Sequence, residues 1–557
     1  VRLHCGGMQA LSDKNRGLWL RALIVGVGLA VALMWTNIGG LSGGLVGFYN
    51  DDWANGIYLH HQVHAALLDG RLSLADPNQF FPFGYNPVHT NGGNILEMLV
   101  SGLFRLVAPW PLWLSLGALA WIPLNVLAFI PLGRRLWQHE SAILAGAAAW
   151  ALFPPVLNQL EAGRLTQVAL VGVPLAIAGM LDLAERPGRS AVGLTAIGLA
   201  LSGLGYWFNA LFLGLLSPVF VIYGRRLRPM LAVGTDMIAA GALALCLVSP
   251  LLAVAFWPVL SGGDMPGTHI DPSSLPLVFP DALRLSGGQA PGLADWLPWV
   301  VIPAVALTLV RGRRVALWVS LGLLCVVFSM GPGQVVSGNV MPMPYWLPWK
   351  FVPGLSRMLH PDRWMLVGGL FITILAVDGM AARRPRLSWV IPVGIFAQLV
   401  GRGVLPLDVW TPTVPTHWET LAQESDQGAV IVLPLHGSQL VGQYQRVHGR
   451  SLLGGMVEDQ PWAQPENWKA YEHASPLLSS LRAFSYGRPL EHSWTAEDVQ
   501  LLRDEGFSWI VFDAAAWRNL PRRVSRAPQS TLTNVLGPPA FESQDGIIWS
   551  LAALPAK

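Results

Sequence analysis

Residues 364–386 read WMLVGGLFITILAVDGMAARRPR. The first eighteen carry a single ionisable group, Asp378, and three arginines follow at once, Arg383, Arg384 and Arg386. As a helix, eighteen residues rise about 27 Å, close to the hydrocarbon thickness of a bilayer. A helix packed on a soluble core would keep a polar face, and this stretch has none. It reads as a membrane span ending in a basic collar. Ten further apolar stretches follow the same logic, at about 18–37, 111–133, 141–159, 168–184, 190–205, 209–223, 231–257, 296–310, 315–330 and 388–406. The expected fold class is therefore an α-helical polytopic membrane protein with about eleven transmembrane helices. Composition agrees: of 557 residues, 52% are apolar and only 12% charged, about half the charged share of ordinary soluble domains. Disorder, collagen and a disulfide scaffold are excluded by the same figures. A net charge of +3 gives no basis for nucleic-acid binding.

Orientation follows from the basic residues, because short cytoplasmic loops are enriched in Lys and Arg. Alternate connections carry Lys14/Arg16/Arg21, Arg134/Arg135, Arg186/Arg189, Arg225/Arg226/Arg228, Arg311/Arg313/Arg314 and Arg383/Arg384/Arg386. This places residues 1–17 in the cytoplasm and makes 39–110, 258–294 and 331–363 outer loops of a membrane domain over 18–406. The stretch Asn94 to Val107 is apolar but short and contains Glu97 and Arg105. Counting it as a span would invert every later loop, so it reads as an interfacial or re-entrant helix. From 407 to 557 the character changes: 11 Lys/Arg and 16 Asp/Glu make about 18% of this stretch charged. That region is expected to be a soluble extracytoplasmic α/β domain. Gly428–Pro434 reads as a buried strand, Trp509–Phe512 as a second strand and Ile547–Leu551 as a third. Thr495 reads as a helix cap, with Glu497 and Asp498 in the first turn and Gly506 as the stop.

Chemistry is expected in the outer loops. Asn50-Asp51-Asp52 emerges just beyond the first span, where carboxylates are costly to hold near hydrocarbon and mark functional sites. The same residues suit a helix N-terminus, so capping is the competing structural reading. A helix follows over Trp53 to Leu68, laid along the membrane surface. His60 and His64 share one of its faces at i, i+4 and are weak metal-ligand candidates. Then come Phe80-Phe81-Pro82-Phe83-Gly84-Tyr85-Asn86-Pro87 and Asn91-Gly92-Gly93-Asn94. Downstream lie Gly163-Arg164-Leu165-Thr166, Pro344-Tyr345-Trp346-Leu347-Pro348, Pro353-Gly354-Leu355-Ser356-Arg357 and Pro361-Asp362-Arg363-Trp364. Lys350, Arg357, His360 and Arg363 concentrate positive charge before the span at 364. Guanidinium forks there suit a lipid phosphate, and snorkelling anchors at the span end are the alternative.

In order and in topological side, these motifs resemble the polytopic glycosyltransferases of the GT-C superfamily, in particular bacterial members of that general type. Arg164 stands where relatives often carry His. The resemblance implies a sugar donor linked to a polyprenyl phosphate and an acid in the first outer loop acting as base or metal ligand. Asp51 and Asp52 match that position jointly. Arg357, Arg363, His360, Lys350 and Arg164 are the expected phosphate and substrate contacts. A divalent metal is compatible with the resemblance, and no cofactor is required by it. The implied partners are the bilayer, the lipid-linked donor and a glycan, lipid or protein acceptor, in the inner (plasma) membrane. A transporter or lipid flippase, and a non-catalytic GT-C-like scaffold in envelope glycan assembly, are the alternative readings.

Overall fold

The computed structural model describes residues 5–70, 76–85, 95–260, 301–311, 314–336, 339–352, 355–358, 360–435, 441–455, 464–490, 494–518 and 528–554. Helices occupy each of the eleven apolar stretches. Among the described residues six are long and apolar enough to cross a membrane: Arg16–Leu33, Leu112–Leu136, Leu165–Glu185, Trp207–Gly224, Met230–Ala253 and Pro361–Ala381. Glu140–Ala151 and Pro154–Glu161 make a seventh if the pair, bent by 45°, is one span. The other stretches are shorter than the sequence suggests. Arg189–Gly205 and Val315–Ser329 are apolar but brief, and Val390–Gly401 has 12 residues because a 3-10 turn, Pro385–Trp389, takes up its start. At 1.5 Å per residue these reach about 18–26 Å, below the full hydrocarbon thickness. The protein is a multi-pass membrane protein.

The chain divides into two compact units, one of Val1–Phe48, Gly92–Trp257 and Thr268–Trp410, the other of Tyr49–Asn91, Pro258–Gly267 and Thr411–Lys557. In the first, helices Gly172–Glu185 and Arg189–Gly205 approach so closely that a Cβ on Gly198 would lie 2.2 Å from the Ala176 nitrogen. The two ends of this helical unit differ in chemistry. At one, Arg135 pairs with Asp182 at 2.6 Å and Arg314 with Glu185 at 2.7 Å. Arg314 also donates to the Arg135 carbonyl, and Arg228 to the Leu183 carbonyl. Four of the basic connections are thereby gathered at a single end, and Arg21 joins them through Glu140 at 2.7 Å. At the opposite end, Leu45–Val46 pairs antiparallel with Val409–Trp410, and the Leu407 amide donates to the Leu33 carbonyl. The chain therefore leaves the helical unit after Val46 and after Trp410 side by side. The Leu96–Arg105 helix has 10 residues, about 15 Å, too short to cross.

In the second unit a four-stranded sheet runs in the order Ala429–Leu433, Phe507–Asp513, Gly546–Ser550, Phe541–Glu542; the first pair is parallel and the others antiparallel. Its core gathers Trp418, Val430, Tyr444, Leu452, Val511 and Ile548. Helix Ala496–Asp504 begins in a capping box, Thr495 and Asp498 each accepting from the other's backbone, and Gly506, at φ 103°, turns the chain into the strand at Phe507.

The outer-loop segment belongs with this sheet. Helix Asp51–Leu68 buries Trp53, Ile57, Tyr58, His60 and His64 and packs on Val441–His448. Protein therefore fills a face that the sequence had suggested would lie along the membrane. The aromatic loop is the second clamp. Phe80 is fully buried and held at φ 50°, a conformation unfavourable for a bulky residue. Its amide donates to the Gly454 carbonyl, its ring meets Trp468 edge-on at 5.1 Å, and Phe81 and Phe83 meet Phe507 and Tyr471. Asn78 adds its carbonyl, which accepts from Gln445 and the Leu452 amide.

Candidate functional site

The acidic pair stands at a helix start. Asn50 is the cap: its side-chain oxygen accepts from the Trp53 amide at 3.0 Å. Asp51 and Asp52 are therefore the first two residues of the helix, not its cap, in the turn where backbone N–H groups point outward and favour negative charge. Asp52 is half-buried; the side chain of Asp51 lies outside the described residues. Further along, the rings of His60 and His64 are 5.8 Å apart at a steep angle. Burial, and then the neighbouring His64 and His61, push His60 well below the usual imidazole value, so it is neutral at pH 7. Among the described residues no group of three or more His, Cys, Asp or Glu is placed to hold a metal ion.

The basic residues lie in the helical unit, at the end from which the outer loop and tail depart. Phe48 donates its amide to the Glu161 carbonyl at 3.1 Å, and Gly47 to that of Asp408 at 2.7 Å. A Cβ on Gly47 would fall on the Glu161 backbone, so only glycine fits there. Three residues after Glu161, Arg164 follows a left-handed Gly163, at φ 72°, and reaches Gln159 at 3.4 Å. Arg363 closes a short turn, Pro361–Arg363, and donates to the Tyr206 hydroxyl at 2.5 Å. Its guanidinium carbon lies 5.5 Å from the centre of the Tyr206 ring. Tyr206 is buried and within electrostatic reach of Arg164, Asp362 and Arg363. The structure thus sets Arg363 on Tyr206, with Arg164 within electrostatic reach of the same tyrosine.

The other basic residues behave differently. Lys350 is exposed and lies over rings of its own short helix, 4.7 Å from the centre of Trp346 and 5.7 Å from that of Phe351. Leu347 and Phe351 are themselves exposed, the pattern of an interfacial anchor. His360 is half-buried and lies 3.8 Å from Asp362. The side chain of Arg357 lies outside the described residues. Sequence reasoning missed Tyr206; its one signal was the break in apolar character between 190–205 and 209–223.

No protein-family model matches the chain, and no curated protein sequence matches it. Among solved structures the chain is similar to the arabinofuranosyltransferase AftD from Mycobacteria, with a TM-score of 0.56 at 16% identity over 95% of this chain and 41% of that one. The chain therefore spans about two fifths of AftD's length. Weaker similarity extends to the oligosaccharyltransferase AglB from Archaeoglobus fulgidus, at TM-score 0.44, 12% identity, 89% of this chain and 69% of that one. ArnT from Cupriavidus metallidurans follows at 0.40 and 11%, over 96% and 99%. The protein shares its fold with the matching part of the arabinofuranosyltransferase AftD.

Proposed function

We propose that the protein is a glycosyltransferase that moves a sugar from a polyprenyl-phosphate donor to an acceptor hydroxyl at the outer face of the inner membrane. The observation that carries this reading is the pairing of Arg363 with Tyr206, within electrostatic reach of Arg164, at the end of the helical unit opposite the basic connections. A lipid-linked donor presents its phosphate at the interface, where that end lies if the Arg-rich end is cytoplasmic.

In this reading a carboxylate of Asp51 or Asp52 takes the proton of the acceptor hydroxyl. The acceptor oxygen bonds to the anomeric carbon as the bond from that carbon to the phosphate oxygen breaks. Polyprenyl phosphate leaves with the electron pair, and Arg363 and Arg164 neutralise its charge. Arg357 is grouped with them by its place in the sequence. Lys350 and His360 take the lesser part of holding the span end at the interface. The N-terminus is cytoplasmic, and residues 407–557 form the outer domain that holds the acceptor, a glycan, lipid or protein.

The test uses full-length protein in lipid nanodiscs with undecaprenyl-phosphate sugars and candidate acceptors. Covalent transfer that disappears in Asp51→Asn or Asp52→Asn, with folding intact, supports the reading. Uptake of a solute into proteoliposomes with no covalent product overturns it in favour of transport. Failure of both acids to matter, with transfer preserved, removes them as the base.

A further inference from the structure

At the end of the helical unit that holds Tyr206, five polar side-chain atoms are buried with no hydrogen-bond partner: Oε2 of Glu97, Oε1 of Gln167, Oγ of Ser202, and both Oδ1 and Nδ2 of Asn209. Their residues are at most 4% exposed. The backbone ties them to one region. The Ile95 amide donates to the Leu204 carbonyl, and the Asn209 amide to the Tyr206 carbonyl. Helix Leu96–Arg105 touches both Leu165–Val168 and Arg189–Gly205. A Cβ on Gly205 would lie 2.6 Å from the Ala169 oxygen, and one on Gly172 2.5 Å from Ser202 Oγ.

Buried amides are normally satisfied, and this fold shows how. Asn125, equally buried, donates to the Val168 carbonyl at 2.9 Å and accepts from the Leu170 amide at 3.2 Å, closing the helix break beside the same region. Asn209 does neither. Buried polar atoms with no internal partner, grouped in one region, are available to a ligand that brings its own donors and acceptors.

We propose that Glu97, Gln167, Ser202 and Asn209 line an uncharged polar pocket that binds hydroxyl groups of the sugar carried by the donor. This deepens the transferase reading and rests on it. The chemistry of the set selects the ligand class. Asn and Ser each donate and accept, and the Gln oxygen accepts. Burial pushes Glu97 up to about 8, so at neutral pH its carboxyl is protonated and can donate. Mixed donors and acceptors without net charge suit a polyhydroxylated ring, while the phosphate is left to Arg363 and Arg164 beside it. A site built to hydrogen-bond hydroxyls discriminates strongly against a ligand that lacks them.

The experiment measures binding of two probes to the full-length protein in nanodiscs by native mass spectrometry: undecaprenyl phosphate, and undecaprenyl-phosphate carrying pentoses or hexoses. The wild type is expected to prefer at least one sugar-bearing lipid. Asn209→Leu and Glu97→Gln should each reduce that preference about tenfold while leaving affinity for undecaprenyl phosphate unchanged. Asn209→Leu keeps the branched shape while removing the polar atoms and, if Asn209 were only an unsatisfied core residue, would leave the preference untouched in a folded variant; that result overturns the proposal. Equal loss for both lipids in folded variants also overturns it, because the pocket would then be reporting the phosphate. Absence of binding of either lipid to the wild type is a different result: it removes the transferase reading, and with it this one.

Discussion

Arg363 and Tyr206 make a pair whose energetics can be worked out before any assay. The guanidinium donates to a buried phenol oxygen at 2.5 Å and lies 5.5 Å from the ring centre. Among the described residues this uses one of its five N–H donors, leaving four to engage a phosphate. A charge-assisted hydrogen bond of this kind contributes about 1.5–3 kcal/mol. Arg363→Ala should therefore weaken binding of undecaprenyl phosphate by roughly tenfold to a hundredfold. It should also lower thermal stability, because the Tyr206 hydroxyl is left buried and unpaired at a cost of about 1–3 kcal/mol. Tyr206→Phe keeps the ring and removes only the acceptor that fixes the guanidinium, so its effect on lipid affinity should be smaller, about threefold to tenfold. The double variant should be no worse than Arg363→Ala alone, a coupling of about 1 kcal/mol. Titration of nanodisc-embedded protein with undecaprenyl phosphate, followed by native mass spectrometry, reads all four corners of the cycle. Lys350→Ala is the control: its ammonium rests on Trp346 and Phe351, so affinity should change by less than about twofold, as expected for an exposed charge. If Arg363→Ala lowers the melting temperature but leaves lipid affinity within twofold of wild type, Arg363 is an anchor of the span end, and the phosphate assignment is refuted.

Three further outcomes follow from named contacts. Glu97 has its carboxyl raised to about 8 by burial. The folded state therefore binds a proton that an exposed glutamate would release near its usual value, and the stability this gives is lost as pH rises through about 8. The helices packed against it bring no titratable group except Arg189, at the far end of its helix, and Arg105 on its own helix rests 5.8 Å from Trp113. A melting-temperature profile from pH 6 to 9 should fall between about pH 6 and 8, level off above that, and lose this slope in Glu97→Gln; a profile unchanged by that variant contradicts the assignment. Phe80→Ala removes a fully buried ring and its contact with Trp468, about 3–5 kcal/mol, and should expose the segment around 80 to limited proteolysis with the membrane helices intact. Thr495→Ala breaks the capping box for about 1 kcal/mol, visible as a small drop in the second unit's melting temperature without change in lipid affinity.

What the sequence discloses and what it withholds divides along a physical line. Spans are written in local composition, so each apolar stretch became a helix, although Gly205 and the turn before Val390 shortened some. The three buried strands and the Thr495 cap were legible for the same reason: β-branched runs and capping residues act over a few positions. The grouping of 49–91 with the tail is a long-range fact. Phe80 and Trp468 carry no local mark of each other, and the helix start at Asp51 looks the same whether its buried face meets lipid or protein. Arg363 stood out as a charge before a span. Tyr206 and Asn209 did not, because a lone tyrosine between apolar runs and a lone asparagine inside one acquire meaning only from what faces them.

The sheet-bearing unit is assembled from pieces distant in the chain: Gln445 reaches the Asn78 carbonyl across 367 residues. At about 5–20 residues per second, that interval takes a ribosome roughly 20–70 s. Throughout it, Trp53, Phe80 and their neighbours exist as nascent polypeptide without the surfaces that will enclose them. A message cut short before codon 411 would therefore leave these rings permanently uncovered, prey to quality-control proteases, however sound the rest of the polypeptide.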